Sequence, residues 1–408
     1  MMKSHKLRLF RILLVAAAVA LAAFRFPAPR VETLYSNGFY PRMAEVIKPL
    51  TRCLPIPALD LLVITLAIGL PLWWIWRLRA AGAGRRWLAV IRAAIDTLTL
   101  AAAMFCAFEL LWGLNYQRLP LTAKLDWDEK RATPHAALAL ARSSIENLNT
   151  EAAAVQEHPL PPPEQWRAAL HQSFQLLLND LGQRRAFSAV PPRTSMLNPY
   201  FSAASIDGFA NPFGYEVILN SDVLPFERPY LLAHEWAHVA GFADESEATF
   251  IGLLACLRSD LPAVRYSGWL ELHLRLPQRN PKTAEVWPEL APAVIRDIHA
   301  LRARAQKHRN VFLVRAHWRL YNRFLKAQRV AAGTASYGLG TKLILGARFE
   351  GHWSPVRKSL PAASSPSPSG APGQSSFQNS GVGALLGISL FACLSGRDGE
   401  NFASFYGR

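Results

Sequence analysis

With 408 residues the chain has room for two or three domains, and a hydrophobic share of 51% directs attention to membrane segments first. The formal net charge of +16 comes mainly from scattered arginines on expected helices and from one short basic connection. No zinc-finger spacing, RNA-binding sheet signature or basic arm accompanies it, so nucleic acid is excluded as a partner and the charge is read as attraction to a membrane surface plus solvated faces. Cys53, Cys106, Cys256 and Cys393 lie far apart with no CxxC, which excludes a disulfide framework and a cysteine zinc site.

Three N-terminal stretches are apolar enough to be transmembrane helices: residues 9–26, 58–76 and 87–114. Each approaches or exceeds the roughly 20 residues that a helix needs to cross a hydrocarbon core. The first follows Lys3, Lys6 and Arg8, as a signal peptide would, but Phe24-Arg25-Phe26-Pro27 offers no small-x-small cleavage site, so a retained helix is expected. Asp60, Asp96 and Glu109 lie in or beside the other two spans, and acids there should face a partner helix, a cavity or the interface in a structural role. The connection 77–86 carries Arg77, Arg79, Arg85 and Arg86 and no acid, which assigns it to the cytoplasm together with the basic N-terminus. Everything after about Asn115 is then extracytoplasmic, at a bacterial inner membrane. The first outer loop, with Arg25, Arg30, Arg42, Lys48 and Arg52, departs from that charge rule.

From Asp126 the composition becomes soluble and helical. Thr133 is an expected N-cap for a helix to about Val155, and the Pro159–Pro163 run separates it from a second helix at 164–181. Residues 191–212 are rich in turn formers and are expected to be irregular, with Asn211 initiating an Asn-Pro turn. Tyr215–Leu219 reads as a short strand, which offers an edge for an extended peptide or lies in the core. A helix at 228–240 follows, stopped by Gly241, then another at 245–258 with Ala248, Ile251, Leu254 and Ala255 at helical spacing. Further helices extend to about Lys326. Beyond Ser354 the tail is rich in Ser, Pro, Gly and Ala, a composition that does not fold alone, with one apolar island at 385–394.

The chemistry concentrates in His234-Glu235-Trp236-Ala237-His238. Residues four apart share a helix face, so both imidazoles can address one zinc ion, while Glu235 is placed as general base for the metal-activated water. The expectation is a mainly α chain, its three transmembrane helices followed by a zincin-like α+β metallohydrolase domain over 117–354. A third ligand cannot come from the same unbroken helix, since Glu245 would lie roughly 10 Å along the axis from His238. The chain must turn back at Gly241, after which Glu245 is favoured over Asp244, with Glu247 third. Tyr266 and His273 are candidate oxyanion donors, although a packed aromatic and a helix-surface histidine are their ordinary readings. Cys256 reads as a small buried hydrophobe.

The run Asn211-Pro212-Phe213 to Asn220, Leu224-Pro225, and His234 through Gly241 to Glu245-Ser246-Glu247-Ala248-Thr249-Phe250 resembles the bacterial membrane family catalogued as domain of unknown function 3810. Trp112-Gly113-Leu114-Asn115-Tyr116-Gln117-Arg118, Tyr266-Ser267-Gly268 and Ala335-Ser336-Tyr337-Gly338 resemble it too. The resemblance implies N-terminal membrane helices and a zincin-like domain in which His234, His238 and Glu245 hold zinc and Glu235 is the base. Thr249 stands where Asn is usual, and Gly214-Tyr215 replaces Thr-Gly. The expected function is a membrane-anchored zinc metallopeptidase acting on a peptide or protein substrate, with membrane lipid as its other partner. The rival is a scaffold that binds metal or a partner without turnover, and hydrolysis of another amide or ester uses the same chemistry.

Overall fold

The computed structural model describes residues 2–183, 185–277, 287–358 and 394–395. The chain is mainly helical with a small sheet. Helix α1 spans Met2–Ala23, α2 Ala28–Arg52, α3 Ala58–Ala80 and α4 Arg86–Leu111. Of these, α3 and α4 are each long and apolar enough to cross a membrane, and α1 with α2 makes a third such unit only if the two, bent by 113°, are taken together. These helices leave large apolar side chains exposed, among them Phe10, Ile12, Leu72, Trp76, Trp87 and Ile95, as a lipid-facing surface requires. Asp96 of α4 pairs with Arg11 of α1 and, at 2.7 Å, with Arg77 of α3. Ala18, Ala102, Phe105 and Cys106 pack α1 on α4.

The segment expected as a loop between the first two spans is instead α2. Its buried positions run Val31, Tyr35, Ser36, Tyr40, Ala44, Lys48, Thr51. The step from Tyr35 to Tyr40 is five residues, not four, and a π-helical stretch over Val31–Phe39 absorbs the extra residue and keeps both tyrosines on one face. Gly38, Pro41 and Pro49 hide this helix from a propensity reading. It docks on the rest of the chain: Thr51 donates to Gly214 O at 2.9 Å, Lys48 to Ser188 O at 3.1 Å and Arg52 to Ala189 O at 2.7 Å.

After a 3-10 turn at Gly113–Gln117 come α5 (Pro134–Glu157) and α6 (Pro163–Asp180). The expected cap is present, since Ala136 N donates to Thr133 Oγ1 at 3.1 Å. The region expected to be irregular contains β1 (Pro192–Arg193), α7 (Asn198–Ala204) and β2 (Gly208–Asn211). Turn formers mark the ends of these short elements, and β2, buried at all four positions, has no alternation to betray it. β3 (Glu216–Leu219) lies between β2, antiparallel, and β1, parallel. Asn211 does build the turn: it accepts from Phe213 N at 3.1 Å, and Tyr215 follows with φ +51°. Glu216 accepts from the backbone of Ala58 and from Arg193, and so fixes the start of α3 to the sheet.

Helices α8 (Arg228–Val239) and α9 (Glu245–Leu257) form the centre of the core. The spacing of Ala248, Ile251, Leu254 and Ala255 suggests one buried face, yet every residue of α9 is buried because α6, α8, α10 (Pro262–Arg275) and a later helix, Ser336–Gly346, surround it. Helices α11 (Pro292–Lys307), α12 (Val311–Ala327) and α13 (Ser336–Gly346) follow, then β4 (Phe349–Glu350) paired with β5 (Ser354–Pro355). One buried apolar cluster runs from Val31 to Ala347, so packing is continuous across residue 116. Of the expected tail, residues 355–358 are described and ordered onto the rest, with Pro355 in β5 and Arg357 bridged to Leu125, and so is β6 (Leu394–Ser395), which pairs antiparallel with β2; the remainder, including the apolar island up to residue 393, lies outside the described residues.

Candidate metal centre

Helix α8 begins with Pro229 in its first turn, where the missing amide costs nothing, and ends at Gly241, whose φ is +89°. A Cβ at Gly241 would also stand 3.0 Å from the Tyr40 ring and 3.1 Å from Asn115 Oδ1, so glycine serves both the turn and the close approach. The chain reverses, and Asp244 caps α9 by accepting from Ser246 N at 2.8 Å and Glu247 N at 3.4 Å. This puts Glu245 at the first position of α9, facing back on α8. The two helices approach closely at Gly252, where a Cβ would lie 3.0 Å from His234 N and 3.2 Å from His234 Cα.

His234, His238 and Glu245 come together as a group able to hold a metal ion. His234 Nε2 and His238 Nε2 are 3.2 Å apart, and each is 3.3 Å from Glu245 Oε2. All three are buried, as is Glu235 beside them. His238 Nδ1 is 2.8 Å from Phe242 O; a carbonyl only accepts, so Nδ1 carries a proton and Nε2 is the nitrogen turned to the group. Burial pushes His234 down to about 4. The same burial opposes protonation of His238, yet the Glu245 carboxylate outweighs it and raises His238 to about 9. Glu245, which burial alone would raise, is drawn down to about 2, chiefly by His238. The centre is thus arranged around an ionised carboxylate.

The competing acids are engaged elsewhere. Asp244 is the helix cap, and Glu247 accepts from Leu121 N at 2.6 Å and is raised to about 7 by burial and by Asp244. Tyr266 donates to Asp297 at 2.7 Å and His273 Nδ1 meets Ser144 Oγ at 2.8 Å, so each has its own local partner. Cys256 is buried and free, as expected.

Several residues at the centre carried no local signal. Tyr321 of α12 donates to Glu245 Oε1, the carboxylate oxygen turned away from the histidines. Trp112 Nε1 donates to His238 O at 3.1 Å, Tyr40 to Val239 O at 2.9 Å, Gln183 to Ala240 O at 3.2 Å and Arg118 to Gly241 O at 2.7 Å. Four successive carbonyls across the end of α8 and its turn, where helical partners run out, thus each receive a side-chain donor, His238 O in addition to Gly241 N. Only the run Trp112 to Arg118 had stood out in the sequence, and only as a likeness.

Searches of curated proteins and of solved structures gave no match. A family model does match, over residues 35–345, a span that includes α2 from Tyr35 onward, the Trp112–Arg118 run and the whole His-His-Glu group. The chain therefore belongs to the family described as "Protein of unknown function (DUF3810)".

Proposed function

We propose that the chain is a membrane-anchored zinc metallopeptidase of zincin type. One observation carries this reading. Tetrahedral zinc with bonds of about 2.0–2.1 Å separates its ligand atoms by about 3.3–3.4 Å, and the three donor atoms of His234, His238 and Glu245 stand 3.2–3.3 Å apart. Two imidazoles, with the proton that Glu245 favours on His238 given up to the metal, and a carboxylate suit zinc, and because Asp244 and Glu247 are otherwise engaged, the protein would supply three ligands and leave one position open, as a catalytic site must.

When bound, zinc lowers the pKa of a coordinated water towards neutrality and polarises a carbonyl. His234, His238 and Glu245 would hold it, with Tyr321 steadying the outer oxygen of Glu245. Glu235, next to His234 and buried, takes the proton from the attacking water and passes it to the leaving amine. A peptide is favoured over other amides because β2, whose strand packs against α8, already accepts an extended segment, Leu394–Ser395, on its outer edge. The basic connection between α3 and α4 supports an orientation with this domain outside a bacterial inner membrane.

A second reading, a metal-holding scaffold without turnover, is favoured by the burial of His234, Glu235, His238 and Glu245, none more than 1% exposed. Metal analysis of the detergent-purified chain, with Glu235→Gln, His238→Ala, Asp244→Ala, Glu245→Ala and Glu247→Ala, tests both. The proposal expects about one zinc per chain, kept in Glu235→Gln, lost in His238→Ala and Glu245→Ala, and retained in the other two. Peptide hydrolysis by the wild type that Glu235→Gln abolishes separates enzyme from scaffold. Absence of zinc after supply at neutral pH would remove both readings.

A further inference from the structure

We propose that Arg118 is a positioning residue for the metal ligand His238, held in place by Glu32, so that the seat of α2 sets the metal affinity of the centre. The inference rests on the reading that the His-His-Glu group binds zinc, and it accounts for the Trp112–Arg118 run.

Arg118 is buried and uses three nitrogens. Nε and Nη2 each donate to the Glu32 carboxylate at 2.9 Å, while Nη1 donates to Gly241 O at 2.7 Å. Its guanidinium lies 4.2 Å from the Phe242 ring centroid. One cation therefore grips Gly241 by its carbonyl and Phe242 by its ring. Phe242 O is the acceptor that fixes the tautomer and direction of His238. His234 has no such support: its Nδ1 finds no hydrogen-bond partner among the described residues. Orientation of the ligand pair thus depends on the 241–242 turn, and the turn depends on Arg118.

The rest of the run serves the same end. Trp112 caps His238 O, Asn115 Oδ1 accepts from Ser36 of α2 at 2.9 Å beside Gly241, and Gln117 Oε1 accepts from Phe26 N at 2.9 Å just before α2 begins. Glu32 lies within the π-helical stretch of α2, and Lys124 also reaches its carboxylate, at 3.0 Å. A positive group at the C-terminal end of α8 complements the helix dipole, but a lysine would do that equally well. What a lysine lacks is the planar fork that engages Glu32 with two nitrogens while a third holds Gly241.

The test is zinc affinity by chelator competition on the full-length, detergent-purified chain, with the visible spectrum of the cobalt-substituted form as a report on ligand geometry. Arg118→Lys is expected to weaken zinc by at least about tenfold, the effect typical of losing support behind a ligand, and to alter the cobalt bands while circular dichroism stays unchanged. Glu32→Gln should shift affinity in the same direction, and the double variant should be no worse than Arg118→Lys alone, because the two act as one unit. Tyr40→Phe, which removes the bond to Val239 O but keeps the ring beside Gly241, should leave the cobalt spectrum intact. Unchanged affinity and spectrum in a folded Arg118→Lys overturns the inference, and if that variant does not fold, unchanged affinity in Glu32→Gln does so. A wild-type chain without zinc overturns the reading of the centre itself, a different result.

Discussion

Gly252 carries no chemistry, yet the centre depends on it. Because a Cβ there would press on the backbone of His234, which cannot yield as a flexible side chain could, Gly252→Val should force α9 away from α8. The expected cost is about 1–3 kcal/mol of stability, with zinc affinity falling alongside; a variant that keeps both its denaturation midpoint and its affinity would refute the close-packing account. Tyr321→Phe removes only the donor to the outer oxygen of Glu245. Its zinc affinity should fall by about tenfold or more with little loss of stability, measured by the same competition. At this scale the pairing of His234 with His238 was legible because helix geometry alone puts i and i+4 on one face. Tyr321, Gly252 and Arg118 were not, since their roles are defined by contacts between distant segments.

Among the elements, α5 and α10 illustrate how burial sets a pH limit. His273 of α10 meets Ser144 of α5, and burial pushes it down from 6.5 to about 4. The native state holds it neutral while the unfolded chain protonates it near its ordinary value. Its contribution to stability is therefore fully present above about 6.5 and is lost as pH falls from there to about 4. Denaturation midpoints between pH 7 and 4 should fall less steeply in His273→Gln than in the wild type; parallel slopes would contradict the assignment. Secondary structure was legible where capping and periodicity agree, as at Thr133 and along α8. It was not legible in α2, whose three prolines and π-helical register disguise a helix, or in β2, which is too short and too uniformly buried to alternate.

In the whole molecule, α2, Leu59 of α3 and Phe108 of α4 share one core with the remainder, while α1 packs on α4 in a separate cluster; Tyr40, Trp112 and Arg118 reach the end of α8 and Glu216 holds the start of α3. Cys53 is exposed between α2 and α3, whereas Cys106 and Cys256 are buried. In a Cys393→Ser background, a membrane-impermeant maleimide should label Cys53 on intact spheroplasts if this face is extracytoplasmic. Labelling only after permeabilisation would reverse the orientation. The sequence by itself determined the apolar helices, their basic connection, the helix that carries both histidines and the turn that follows, because hydrophobicity, charge and helical period are local properties. Only the tertiary structure decided which acid joins the histidines, since Asp244, Glu245 and Glu247 are alike in composition and differ in what each meets: a helix end, two imidazoles, or the backbone of Leu121. It also decided that α2 lies against the centre, because that placement comes from partners 100 to 200 residues away in the chain, beyond the reach of any local pattern.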